Sequence, residues 1–347
     1  MVMKTYLRTL VVLFILFPGL QSHSQDLHFS QWFNAPLITN PANTGFIPDG
    51  DYRIGANYRN QWSSIMSEPY QTMSVWGDAQ VFRNRIENGW LGLGGAILRD
   101  QAGAGNLTST EVYGSAAYHQ MLGYSSLLTA GFNAGYVNKR INSSNLKFPD
   151  QFDGSFFDQS LPTSVVIDQP NINFLDIQAG LNYAYFPNKN MYLNGGFSIW
   201  HLNHPRESFF STDPLGFDSR LPLRYTGFLN GSFKTSEDVI LNVMGYYTNQ
   251  AGASETVLGI NLQYRLTPDG DQSVIGGIYC RYGDAYFPMI GFVYKNIRLM
   301  FTYDVTASSL ANYNNGNGAW EFALINYGYY SDFSGDRRQF LCPDFKQ

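Results

Sequence analysis

Histidine is the side chain that changes charge near neutral pH and the commonest metal ligand, and this sequence of 347 residues has five of them. His23 falls within the leader described below, which leaves His28, His119, His201 and His204. His201 and His204 stand three apart at a predicted strand end, where an extended chain points them to opposite faces, so the spacing argues against shared ligation of one metal. A Ser–His hydrolase built on a barrel wall would draw on His119. No motif marks a nucleophile near it, and the plainer reading is a lumen or interface side chain. Leu91-Gly92-Leu93-Gly94-Gly95 invites a phosphate-loop reading, but that loop needs a helix after it. Alternation runs straight through these glycines, which instead make room for a bend or a close side chain. Arg83 with Arg85, and Arg337 with Arg338, read as solvated basic clusters. No catalytic, cofactor-binding or metal site is assigned from the sequence, no cofactor is expected, and the expected protein is not an enzyme.

The elements that would carry any such chemistry are strands. From Asp51 onward, segments of about ten residues alternate apolar and polar side chains between clusters of Gly, Asn, Asp, Ser and Pro, the pattern of strands and turns. Leu258, Ile260, Leu262 and Tyr264 fall on one face against Gly259, Asn261, Gln263 and Arg265 on the other. Leu175, Ile177, Ala179, Leu181, Tyr183 and Tyr185 oppose Asp176, Gln178, Gly180 and Asn182 in the same way. The pattern predicts strands near 51–60, 70–82, 90–99, 107–120, 126–140, 172–186, 190–201, 222–234, 238–248, 255–265, 273–282, 285–294, 296–305 and 318–330. That makes about 14, an even number, as single-chain outer-membrane barrels have. The long connections, 141–171, 202–221 and 306–317, are the fifth, seventh and thirteenth, all odd, while several even ones are tight turns. A barrel with both chain ends in the periplasm sorts loop length by parity in this way, and a sandwich has no reason to.

Composition agrees. The chain carries 24 Tyr, 26 Phe and 6 Trp, which excludes disorder. Its charged fraction of 14% is about half that of soluble domains. No apolar run in the mature chain approaches the roughly 18 residues of a membrane helix. Lys4 and Arg8, the apolar run Leu10 to Phe17, and small residues at Ser22 and Ser24 read as a secretory signal over 1–24. Its removal deletes those two positive charges and no acid, taking the formal charge from -5 to -7, which disfavours a nucleic-acid partner. Cys280 and Cys342 are the only cysteines; the sequence leaves both a single bridge and a buried free Cys280 open. The expected organisation is a signal at 1–24, a non-barrel N-terminal segment at 25–50, an all-β transmembrane antiparallel barrel at 51–330 and a tail at 331–347. The N-terminal segment carries Phe29, Trp32, Phe33, Pro36, Leu37, Ile38 and Pro41, too apolar to hang free. It either plugs the lumen or docks on a partner.

Several stretches carry a resemblance. Gln25-Asp26-Leu27-His28-Phe29-Ser30-Gln31-Trp32-Phe33, then Pro36-Leu37, Asn40-Pro41-Ala42, Thr44-Gly45-Phe46 and Tyr52 through Trp62, are similar to the opening of the PorP/SprF family of type IX secretion membrane proteins. Trp200-His201-Leu202-Asn203-His204-Pro205, Tyr303-Asp304-Val305 and Cys342-Pro343-Asp344-Phe345 resemble further motifs of that family. The resemblance implies an outer-membrane barrel of a Gram-negative bacterium, with both termini periplasmic. It also implies an accessory role in secretion and surface attachment of a large adhesin bearing a type IX C-terminal sorting domain, often with gliding. The implied partners are that adhesin, the secretion or gliding machinery and outer-membrane lipid. Two alternatives stay open: a transporter of hydrophobic molecules of the long-chain-fatty-acid type, which shares an Asn-Pro-Ala motif, and a passive pore.

Overall fold

The structure, a computed structural model, describes residues 29–330 except 49, 84, 104–105, 143–145, 159, 166, 211–218 and 269. The expected signal, the C-terminal tail, His28, Arg337, Arg338 and Cys342 lie outside the described residues, and with Cys342 the question of a bridge to Cys280. Period-two segments become β1 (Tyr52–Gln61), β2 (Tyr70–Val81), β3 (Gly89–Ala102), β4 (Leu107–Met121), β5 (Ser126–Arg140), β6 (Asn171–Asn188) and β7 (Met191–Trp200). They continue as β8 (Arg224–Lys234), β9 (Val239–Gln250), β10 (Ala253–Arg265), β11 (Gln272–Arg281), β12 (Ala285–Tyr294), β13 (Ile297–Thr306) and β14 (Asn317–Gly328).

Each strand pairs antiparallel with its sequence neighbours, and β1 pairs with β14 from Tyr52↔Gly328 to Gln61↔Ala319, closing the sheet. Closure leaves no edge of unpaired N–H and C=O groups, which is what lets a sheet cross hydrocarbon. The β6–β7 and β13–β14 ladders each shift register once, and β12 and β13 pair at Tyr286↔Val305 and again at Met289↔Thr302, with no pair between. Pro288 sits in that gap and has no N–H to give. The turn Ala251-Gly252 between β9 and β10 has φ of 50° and 87°, the doubly positive geometry that matches the twist of a two-residue hairpin.

Side chains divide as alternation requires. Along β12 every second residue is buried, Phe287 at 0% and Met289 at 4%, while Ile290 between β11 and β13 is 65% exposed. Leu258, Ile260, Leu262 and Tyr264 all face outward, whereas Asn261 and Arg265 are buried inside. An apolar outer wall around a polar interior is the arrangement of a barrel in lipid. The long connections 141–170, 201–223 and 307–316 share one rim; the chain passes from residue 48 to β1, and on to Tyr330, at the other.

Candidate functional site

Residues 29–48 fold inside the barrel as a 3-10 turn (Trp32–Asn34), a one-turn helix (Pro36–Thr39) and a second 3-10 turn (Pro41–Asn43). Three prolines keep this segment from becoming a strand, so its backbone groups need partners from the wall. At the rim of the long connections, Glu321 on β14 accepts the backbone N–H groups of Ser30 and Gln31 at 2.8 and 2.9 Å. Asp304 on β13 accepts the Ser30 hydroxyl at 2.8 Å, Arg59 on β1 at 2.9 Å and Arg281 on β11 at 3.2 Å. Arg59 also reaches Glu321 at 3.3 Å, and Arg281 reaches Glu255 at 3.3 Å and Asp284 at 3.1 Å. The carboxylates and guanidiniums offset one another, so charges that would be costly alone in a dry interior are held together.

Midway down, the anchors are aromatic. Trp32 stacks on Tyr246 at 5.3 Å and leans on Phe228 at 5.7 Å; Phe33 stacks on Tyr279 at 5.4 Å, which stacks on Phe287 at 5.3 Å. Asn40 donates to the carbonyls of Leu181 at 3.0 Å and Phe197 at 3.3 Å, while its own Oδ1 caps Ala42. Lower still, Asp78 binds Arg53 at 2.8 Å and the Gly45 N–H at 2.6 Å, and Arg53 donates to the Asn43 carbonyl at 2.9 Å. His119 lies between Trp90 and Phe46, its Nε2 at 2.8 Å from the Thr44 carbonyl and its Nδ1 at 2.9 Å from Thr129 Oγ1. Thr44 also bonds Ser115. Gln80 donates to the Ile47 carbonyl at 3.0 Å near the second rim.

The wall is hollowed to admit this segment. A Cβ on Gly92 would land on the Thr44 carbonyl, one on Gly131 on Pro41 and Ala42, and one on Gly180 on the Asn40 amide. Gly92, the first glycine of Leu91-Gly92-Leu93-Gly94-Gly95, is therefore a close-approach glycine on the inner face of β3. Between segment and wall, cavities of about 10 and 20 Å3 remain, one beside Leu37, Ala96 and Asn133, the other beside Glu111, Lys139 and His201. Such volumes admit a water or so. At the long-connection rim the surface is different: Phe152, Phe156 and Phe157 are exposed around a small bridge between Phe152 and Phe157.

A family model described as "Type IX secretion system membrane protein PorP/SprF" matches residues 21–325. The chain belongs to the PorP/SprF family. Among solved structures it is similar to the Ralstonia pickettii toluene transporter TbuX, with 13% identity over 84% of this chain and 92% of that one, at a TM-score of 0.47. It is also similar to a Pseudomonas aeruginosa FadL homologue, with 9% identity over 82% and 91% and a TM-score of 0.49. The P. putida toluene transporter TodX gives 12% identity over 86% and 94% and a TM-score of 0.46. At this level of likeness nothing about transport carries over. No curated protein matches the chain. This PorP/SprF member is a closed antiparallel barrel of the outer membrane, as its sequence leads one to expect, and a membrane protein of type IX secretion.

Placed in the barrel, the sequence motifs of the PorP/SprF member acquire contacts. Gln31, Asn40, Pro41 and Thr44 pin the inner segment to the wall, and Asp304 of Tyr303-Asp304-Val305 centres the upper cluster. His201 is buried against Asp176 at 2.8 Å, whereas His204 is exposed and meets the Leu221 carbonyl; the two do not converge. Arg83 reaches Asp51 at 3.6 Å and Gln80 at 3.0 Å, and Arg85 lies over Phe82. Although only 14% of the chain is charged, Arg53, Arg59, Asp78, Asp176, Arg224, Glu255, Arg265, Arg281, Asp304 and Glu321 are all buried inside. They are spread over eight strands, with only β1 and β10 supplying two each, and are brought together by closure of the barrel. Phe29 and Ser30 are held beside Asp304 and Arg281 at the long-connection rim, while Tyr330 binds Asp51 at the other, so the described ends lie near opposite rims.

Proposed function

We propose that this protein is a non-enzymatic accessory barrel that assists type IX secretion and surface attachment of a large secreted adhesin, by binding the adhesin or the secretion machinery at its rims. The observation that carries this reading is the filled lumen. Among the described residues, a segment hydrogen-bonded to buried charged side chains of the wall toward both rims, and packed on aromatic rings between them, occupies the lumen, so what the molecule offers to others is its rims and loops. The long connections, with exposed Phe152, Phe156 and Phe157, are the natural contact surface toward the cell exterior. In the orientation usual for such barrels, the short-turn rim with Tyr330 faces the periplasm, which leaves Phe29 toward the outer rim. The cargo is read as an adhesin with a type IX C-terminal sorting domain, and gliding components are further candidate partners.

The test is affinity purification of the tagged full chain from detergent-solubilised outer membranes, with mass spectrometry of what co-purifies and conductance of the same preparation in planar bilayers. Recovery of an adhesin or secretion components, with no conductance, is the expected result. Recovery of the barrel alone with steady single-channel conductance would replace this reading with a pore. Saturable uptake of a hydrophobic solute into proteoliposomes would replace it with a transporter.

A further inference from the structure

The outer wall is not evenly clad. Two neighbouring rows across β6 to β10 run Tyr183, Gly195, Leu229, Gly245, Leu258 and Leu181, Phe197, Gly227, Tyr247, Thr256. In the first, glycine alternates with a large side chain. In the second, Gly227 sits between Phe197 and Tyr247. The three glycines leave a groove of about 550 Å3 around Leu229, and no charged residue lines it. Inward-facing Phe228 and Tyr246 form its floor, and Trp32 of the inner segment packs on both from behind. The groove therefore has a rigid, backed floor rather than an opening into the lumen. It extends to Leu128, near the start of β5 and so toward the short-turn rim.

We propose that this groove holds one acyl chain of a membrane phospholipid. Its place within the lipid-facing wall argues for a chain rather than a soluble ligand. Apart from Thr256 and the glycines, its outward-facing lining is aliphatic or aromatic, and an apolar trough bordered by a bilayer is filled by what the bilayer is made of. Between apolar groups in lipid the hydrophobic effect offers no preference, so retention comes from close packing along the trough. The choice of phospholipid rests on the orientation under Proposed function, which turns the Leu128 end toward the periplasmic leaflet.

The experiment uses the full chain reconstituted in phosphatidylethanolamine vesicles that carry a photoreactive diazirine on one acyl chain, with labelled residues mapped by mass spectrometry. Labelling at Phe197, Leu229 and Tyr247 is expected to exceed that at Leu175 and Ile290, which are equally lipid-facing, by about tenfold. Gly227→Leu fills the trough, and a Cβ there meets only the Gly196 carbonyl at 3.9 Å, so the fold tolerates it. That variant is expected to bring labelling down to the level of the belt. Uniform labelling of the belt in the unaltered protein would overturn the proposal. So would crosslinking of the groove residues to a second copy of the chain. Loss of labelling when lipid A is added in equal amount would overturn the choice of phospholipid and the orientation behind it. None of these outcomes depends on which proteins co-purify, so the groove and the accessory role fail separately.

Discussion

Asp304 accepts from Ser30, Arg59 and Arg281 at once, so its loss takes one carboxylate partner from each of two buried guanidiniums. Asp304→Asn is expected to lower stability by about 3–5 kcal/mol, the cost of breaking a buried pair from one side. Heat-modifiable mobility of the detergent-solubilised barrel would read this as a lower transition temperature. Gly92→Val is expected to push the inner segment off the wall, because the new side chain would land on the Thr44 carbonyl, whereas Gly276→Val projects into open space and should leave stability unchanged. A protease cut within 29–48 in the first variant and not in the second would check the pair. Little of this was legible beforehand. Arg59 and Asp304 are 245 positions apart, and no rule of spacing reaches that far. The glycines of β3 announced a close approach without saying what approached.

At the scale of elements, strands were legible because period two and turn residues are local signals. β5 runs over 126–140 as expected, and β12 over 285–294. β3 extends beyond 90–99 to Ala102, because Asp100 and Gln101 keep pairing with Thr72 and Gln71 on β2. The folds within 29–48 were not legible, since Pro-interrupted turns take their shape from the wall around them. Deleting residues 29–48 is expected to convert a silent barrel into one with steady conductance in planar bilayers; continued silence would show that the segment is not the seal. The connection between β5 and β6 has its own internal order. Asp150 accepts from Ser164, Asp153 from Phe156 and Ser155, and Asp158 from Ser160, and these hydrogen bonds hold all three carboxyls below the usual 3.8. Depressed carboxyls add their stabilisation above their unfolded value and lose it as pH falls through the folded one. Proteolysis of this connection should therefore be flat from neutrality to about pH 5 and rise toward about pH 3.

For the whole molecule, orientation and partner contact can be tested together. An epitope inserted between Gly154 and Ser155 is expected to be detected on intact cells, and one between Ser236 and Glu237 only after the outer membrane is breached; the reverse pattern would invert the barrel. Replacing Phe152, Phe156 and Phe157 by Ser is expected to abolish co-purification of the partner, with the barrel's transition temperature unchanged. Architecture was the most legible level of all, because parity of loop length and alternation both follow from a closed wall in lipid. The inner segment also has a consequence for how the wall comes to be closed. The pairing of β1 with β14 joins the two strands farthest apart in sequence, a slow event because the loop it closes is the whole barrel. Ser30 and Gln31 hold Glu321 of β14 while Ser30 and Asn43 hold Arg59 and Arg53 of β1. The segment thus lies across the seam as a clasp. Once the last strand docks, it is enclosed, so it must be in place during assembly and can set the register in which the barrel shuts.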